Sequence, residues 1–149
     1  MSRVWKIVLS LVVVAALGAG GFFVFEYFDH REKVKDASRP CGTLLTPGTS
    51  TALPAGLAFA VPSGQTVLDV ASQGKTVIVT VYVTGDRSDL VHLRDQAVQD
   101  MTAQGYTASA TDQEPTYEAE GQFGGKAQGT INVQPLCKGY DKIRYKFNL

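Results

Sequence analysis

Thr76–Thr84 reads TVIVTVYVT. Val77, Val79, Val81 and Val83 recur at a spacing of two, with Thr76, Ile78, Thr80 and Tyr82 between them. Side chains alternate across a strand, so this spacing predicts a strand with one strongly apolar face, and β-branched residues suit it. On its N-terminal side, Gln73-Gly74-Lys75 supplies a turn, and Thr66–Ala71 reads as a strand apolar on both sides. On its C-terminal side the period changes to that of a helix. Ser88 is a candidate N-cap, Asp89 suits the positive end of the helix dipole, and Gly105 suits the position just past the C-terminus. Between them Leu90, Leu93, Ala97 and Met101 form an apolar stripe, widened by Val91 and Val98. His92, Asp95, Gln96, Gln99 and Asp100 fall largely on the opposite side.

Beyond this helix the period returns to two. Tyr106–Thr111 reads as a short strand broken by Asp112–Pro115, and Thr116–Phe123 alternates Tyr117, Ala119, Gly121 and Phe123 with Glu118, Glu120 and Gln122. Gly124-Gly125 is a two-residue hairpin signal leading into Gly129, Ile131 and Val133. After Cys137-Lys138-Gly139 the last strand turns Ile143, Tyr145, Phe147 and Leu149 one way and Lys142, Arg144, Lys146 and Asn148 the other. The stretch Cys41–Gln65, rich in Pro, Gly, Ser and Thr, reads as a packed loop with short extended pieces that include Leu57–Val61. A hairpin, a helix and three or four further strands predict an α+β domain, a small, mostly antiparallel sheet with one helix packed on a face.

The chain ahead of that domain has another character. Ile7–Phe25 holds 19 residues without a charge, about 28 Å as a helix and close to the thickness of a hydrocarbon core. Trp5 flanks it on one side, Tyr27 and Phe28 on the other. The expected organisation is a single transmembrane anchor over 1–28, a polar stalk over 29–40 and a domain over 41–149. A cleaved export signal is the competing reading: Ala16-Leu17-Gly18 offers a cleavage site, although Phe22–Phe25 continue the apolar run beyond it. A lipoprotein is excluded, because Cys41 stands sixteen residues past Phe25. Arg31, Lys33, Lys35 and Arg39 after the span outnumber Arg3 and Lys6 before it, which favours the domain inside. The short N-terminal tail, the cysteine pair and the export-like start favour it outside. The expected location is therefore the cell membrane, with the domain outside the cytoplasm. Ala15/Ala19 and Ala16/Gly20 are small pairs that could bring two spans together.

Composition narrows the chemistry. Lys+Arg and Asp+Glu are 14 each, so no bulk positive charge is available for nucleic acid. Two cysteines and two histidines exclude a zinc ribbon, and no cofactor or metal is expected. Cys41 and Cys137 bracket the domain and would pair in an oxidising compartment. Asp112 and Glu114, with Asp86 or Asp89, lack the spacing of a calcium loop, and Gly121–Gly129 lacks the setting of a phosphate loop. Ser88, Asp89 and His92 are close in sequence, which makes a small envelope hydrolase using His92 one alternative. Lys142, Arg144 and Lys146 share a strand face and could meet anionic headgroups or wall polymers. They could instead pair with Glu118 and Glu120, or guard an edge strand. In general layout only, this order of basic start, span, stalk and small domain resembles the short single-pass envelope proteins of bacteria. The expectation is a non-enzymatic, membrane-anchored interaction domain presenting Glu118, Glu120, Lys142, Arg144 and Lys146. Its partners would be the bilayer, through Ile7–Phe25, and a protein of the membrane or envelope. An accessory subunit of a membrane complex is a further alternative.

Overall fold

A computed structural model describes residues 38–85, 89–114 and 117–149. The transmembrane anchor and nearly all of the stalk lie outside the described residues, and among those residues no helix is long and apolar enough to cross a membrane. Ser88 also lies outside them, and the N-cap position of the helix at Leu90 falls to Asp89. Six strands form one sheet: β1 (Thr66–Gln73), β2 (Thr76–Thr84), β3 (Thr107–Glu114), β4 (Glu118–Gly124), β5 (Gln128–Cys137) and β6 (Tyr140–Asn148). Their order is β1-β2-β6-β5-β4-β3, with every neighbouring pair antiparallel. One helix, α1 (Leu90–Ala103), joins β2 to the far edge of the sheet and packs on β3, β4 and β5.

The valine face decides this arrangement. Val77, Val79, Val81 and Val83 are all buried, and β2 pairs with β6 so that they stand beside Phe147, Tyr145, Ile143 and Asp141. Leu90, Leu93, Ala97 and Met101 bring the apolar stripe of α1 onto the same core. Each Val, Leu or Met among them contributes about 1.5–3 kcal/mol when fully buried. The helix stops where its C-terminal glycine was expected. Gly105 has φ +84°, its N–H donates to the Thr102 carbonyl at 2.9 Å, and the Tyr106 N–H donates to the Met101 carbonyl at 3.1 Å. That pair of bonds is a Schellman cap, which satisfies carbonyls the helix leaves open.

α1 does not cover the whole apolar face. Over β6 lies an irregular strap, residues 53–65, whose Phe59 ring sits 4.9 Å from that of Tyr145 and 5.1 Å from that of Phe147. Leu53, Leu57 and Val61 pack partly buried against the same core. The strap is tied to the end of α1. Gln104 Oε1 accepts from the Ala60 N–H at 2.7 Å, its Nε2 donates to the Ala60 carbonyl at 3.0 Å, and Tyr106 Oη donates to the Ala58 carbonyl at 2.9 Å. At the β1 edge, residues 48–50 supply two more bonds, Gly48 N–H to the Leu68 carbonyl and Val70 N–H to the Ser50 carbonyl. They occupy backbone groups that an edge strand would otherwise present.

Cys41 and Cys137 form a disulfide across 96 residues of sequence, with Cα atoms 5.0 Å apart. Beside it the Lys138 N–H donates to the Arg39 carbonyl at 3.0 Å. Several sequence expectations need correction. β3 does not break at Asp112; it continues to Glu114, with a bulge between Ala110 and Asp112 absorbing the irregularity. The β4–β5 connection is three residues, Gly125-Lys126-Ala127, with Gly124 still in β4. Leu149 follows the last strand and is 57% exposed rather than inward. β6 is central, flanked by β2 and β5, so its cations guard no edge.

Candidate functional site: the outer face of the sheet

Alternation along β6 buries Ile143, Tyr145 and Phe147 and turns Lys142, Arg144 and Lys146 to the outer face, with Arg144 and Lys146 exposed and Lys142 half-buried. Their neighbours on β5 are neutral: Lys142 stands opposite Gln134, Arg144 opposite Asn132 and Lys146 opposite Thr130. The carboxylates lie one strand further out. Gln134 Nε2 donates to Glu118 Oε2 at 2.8 Å, and Asn132 Nδ2 donates to Glu120 Oε1 at 3.1 Å. Glu118 and Glu120 thus share the face with the three cations, but the amide column of β5 separates the two charge columns. Two strand spacings amount to about 9.5 Å of backbone, near the Debye length in physiological salt. The cations thus stand on the central strand β6 and the carboxylates on β4, with β5 between them.

On the other flank of β6, Tyr82 is the cross-strand partner of Lys142 and meets Tyr140 edge-on at 5.8 Å. At the opposite end of the face, Gly124 and Gly125 carry no side chains, and a depression of about 530 Å³ opens there between Gln122, Gln128 and Asn148. This surface joins cations, amides, carboxylates and an aromatic pair on one rigid sheet.

The chemistry considered for single residues is arranged differently. His92 is exposed on α1 and lines neither this depression nor the cleft described below. Its proposed nucleophile, Ser88, is outside the described residues, as are Asp86 and the side chains of Asp112 and Glu114. Among the described residues no three His, Cys, Asp or Glu side chains gather as a metal site.

Two features were missed from sequence. Arg94 is buried, 3% exposed, and its Nη2 and Nε donate to Asp95 Oδ1 at 2.8 and 3.0 Å. It follows Leu90 by four residues, so helical spacing placed it on the apolar stripe, but its charge hid it. The second is a cleft of about 430 Å³ in the seam between α1 and the strap, reached by Gln65, Gln96, Gln99 and Asp100. Tyr145 Oη donates to Gln65 Oε1 there at 3.1 Å, and burial pushes the Tyr145 phenol well above its ordinary range. Burial likewise raises the Asp100 carboxyl from its ordinary value. The helical period marked Gln96, Gln99 and Asp100 as solvent-facing, but nothing local showed that the strap would return beside them. No protein-family model, no curated protein and no solved structure matches this chain.

Proposed function

We propose that the chain is a single-pass membrane-anchored envelope protein. Its extracytoplasmic domain is a non-enzymatic interaction module, and it binds a protein partner through the outer sheet face. The observation that carries this reading is the separation of charge on that face: exposed Arg144 and Lys146 on a central strand, and carboxylates held by Asn132 and Gln134 two strands away on β4. Such a pattern fixes the orientation of a partner of complementary charge better than a uniform surface does. The uncharged Ile7–Phe25 run supports the anchor, and the Cys41–Cys137 disulfide is compatible with an oxidising compartment. Tethering raises the local concentration of the face near other membrane proteins, so modest affinity suffices.

The test uses the full chain in its native membrane, with a photo-crosslinker at Lys146 and, as control, at His92 on α1. A discrete adduct from Lys146 alone, abolished by R144E, supports the reading. Equal adducts from both positions, or none from Lys146, overturn it. Impermeant thiol reagent applied to intact cells tests the topology. Labelling only after reduction is expected, whereas labelling only after lysis and without reductant places the domain inside.

A further inference from the structure

The cleft between α1 and the strap lies on the opposite side of the sheet from the proposed interaction face and shares no residue with it. Its floor is apolar, made by Val83 of β2, Ile143 of β6 and Leu93 of α1. Its walls are the side chains of Gln65, Gln96, Gln99 and Asp100. At about 430 Å³ it falls within the size range of small-molecule sites, about 300–1,000 Å³.

The walls discriminate by charge. Among the described residues no Lys, Arg or His lines the cleft, and Asp100 is its one ionisable group. From these described residues a phosphate or carboxylate would receive no counter-charge and would meet the Asp100 carboxylate instead. The Asp100 carboxylate has lost part of its hydration, a loss that a cationic donor offsets best. The three glutamine amides offer donors and acceptors together, which suits hydroxyl groups. One amide is already oriented. The Gln65 oxygen accepts from Tyr145 Oη at 3.1 Å, which leaves its NH2 group for the cleft.

We propose that this cleft binds a small hydroxylated amine the size of one sugar ring, an aminopyranose. Its ammonium rests on Asp100, its hydroxyls on the Gln65, Gln96 and Gln99 amides, and the apolar face of the ring on Val83, Leu93 and Ile143. The tyrosine-held Gln65 is oriented before the ligand arrives, which limits part of the ordering cost of binding.

The experiment is an NMR titration of the full chain in detergent micelles with glucosamine. The expected result is saturable perturbation of the Gln65, Gln96 and Gln99 side-chain amides and of the Leu93 and Ile143 methyls. For a ligand of about a dozen non-hydrogen atoms, the expected Kd is about a millimolar. Glucose, which keeps hydroxyls but lacks the ammonium, and glucosamine 6-phosphate, which adds an anion, bind several-fold more weakly. D100N weakens glucosamine about ten-fold and removes its advantage over glucose. Gln99→Ala, at an exposed position on α1, weakens both sugars without depending on the D100N variant. Lys146→Ala on the other side of the sheet changes neither. Absence of saturable perturbation, equal binding of glucose, equal binding of the hydroxyl-free diamine putrescine, or shifts centred elsewhere each overturn the proposal.

Discussion

Gly129 is an inward position on β5, between the alternating Ile131 and the start of the strand, and it stands opposite Phe123 of β4. A Cβ added there would overlap the Phe123 ring and the Lys146 backbone carbonyl. The ring thus fills space that a side chain on β5 would otherwise take, and from there it packs 5.0 Å from Phe147 and 5.4 Å from Tyr106. Because the overlap includes backbone, Gly129→Ala cannot be accommodated by a rotamer change alone. It is expected to cost about 1–3 kcal/mol or more, read as a lower urea midpoint with unchanged slope. Asp100 predicts the opposite sign. Its folded-state pKa is raised by desolvation, so the native state holds the proton more tightly than the unfolded chain. Its contribution to stability is greatest in acid and declines as pH rises through the folded pKa. Asp100→Asn is expected to raise Tm slightly at neutral pH, with the difference from the parent closing below the ordinary carboxylate range. Melting curves across pH 3–8 check it, about a degree being the expected scale.

Among the elements, the strap contrasts with the helix and strands. β2 and α1 were legible because periods of two and 3.6 are local: the Thr76–Thr84 bounds, the buried Leu90, Leu93, Ala97 and Met101, and the Gly105 cap all follow from spacing. In sequence the strap reads as part of a packed loop with short extended pieces, without a hint of what it covers. Leu53, Leu57, Phe59 and Val61 keep no period, and its anchor, Gln104, lies 44 residues from Ala60 in sequence. The extension of β3 through Asp112–Glu114 was hidden for a related reason. Pairing with β4, as in Asp112 to Glu120 and Glu114 to Glu118, overrides the weak strand preference of those residues. The charged outer face was legible as a set of residues, but its layout depended on β5 lying between β4 and β6. Gln104→Ala removes both bonds to Ala60 and is expected to cost about 1–3 kcal/mol. Hydrogen exchange should then quicken at Phe59 and Ala60, while the β2 and β6 amides change only with global stability.

At the scale of the whole molecule, the β1–β2 hairpin meets the block β6-β5-β4-β3 along one sheet seam, β2 against β6, where Thr80 pairs with Arg144. That pairing is distant in sequence, so its loop-closure cost falls before its contacts form, and topology of this kind slows folding. The disulfide constrains the unfolded chain over nearly the same span, 96 residues from Cys41 to Cys137. In the chain-entropy description its reduction costs about 4–5 kcal/mol, which denaturation with and without reductant will measure. A domain of ordinary stability would lose a large part of its margin. The location of the bond has a mechanical consequence as well. Tension arriving along the chain that precedes Cys41 passes through the sulfur bridge, and through the Lys138–Arg39 contact beside it, directly into the β5–β6 turn. The strap, β1, β2, α1, β3 and β4 sit inside the covalent ring, so the covalent path of that load bypasses them. Once the bridge is cut, the same pull first strains the bonds of residues 48–50 to β1 and then the strap, where it peels Phe59 from Tyr145 and Phe147.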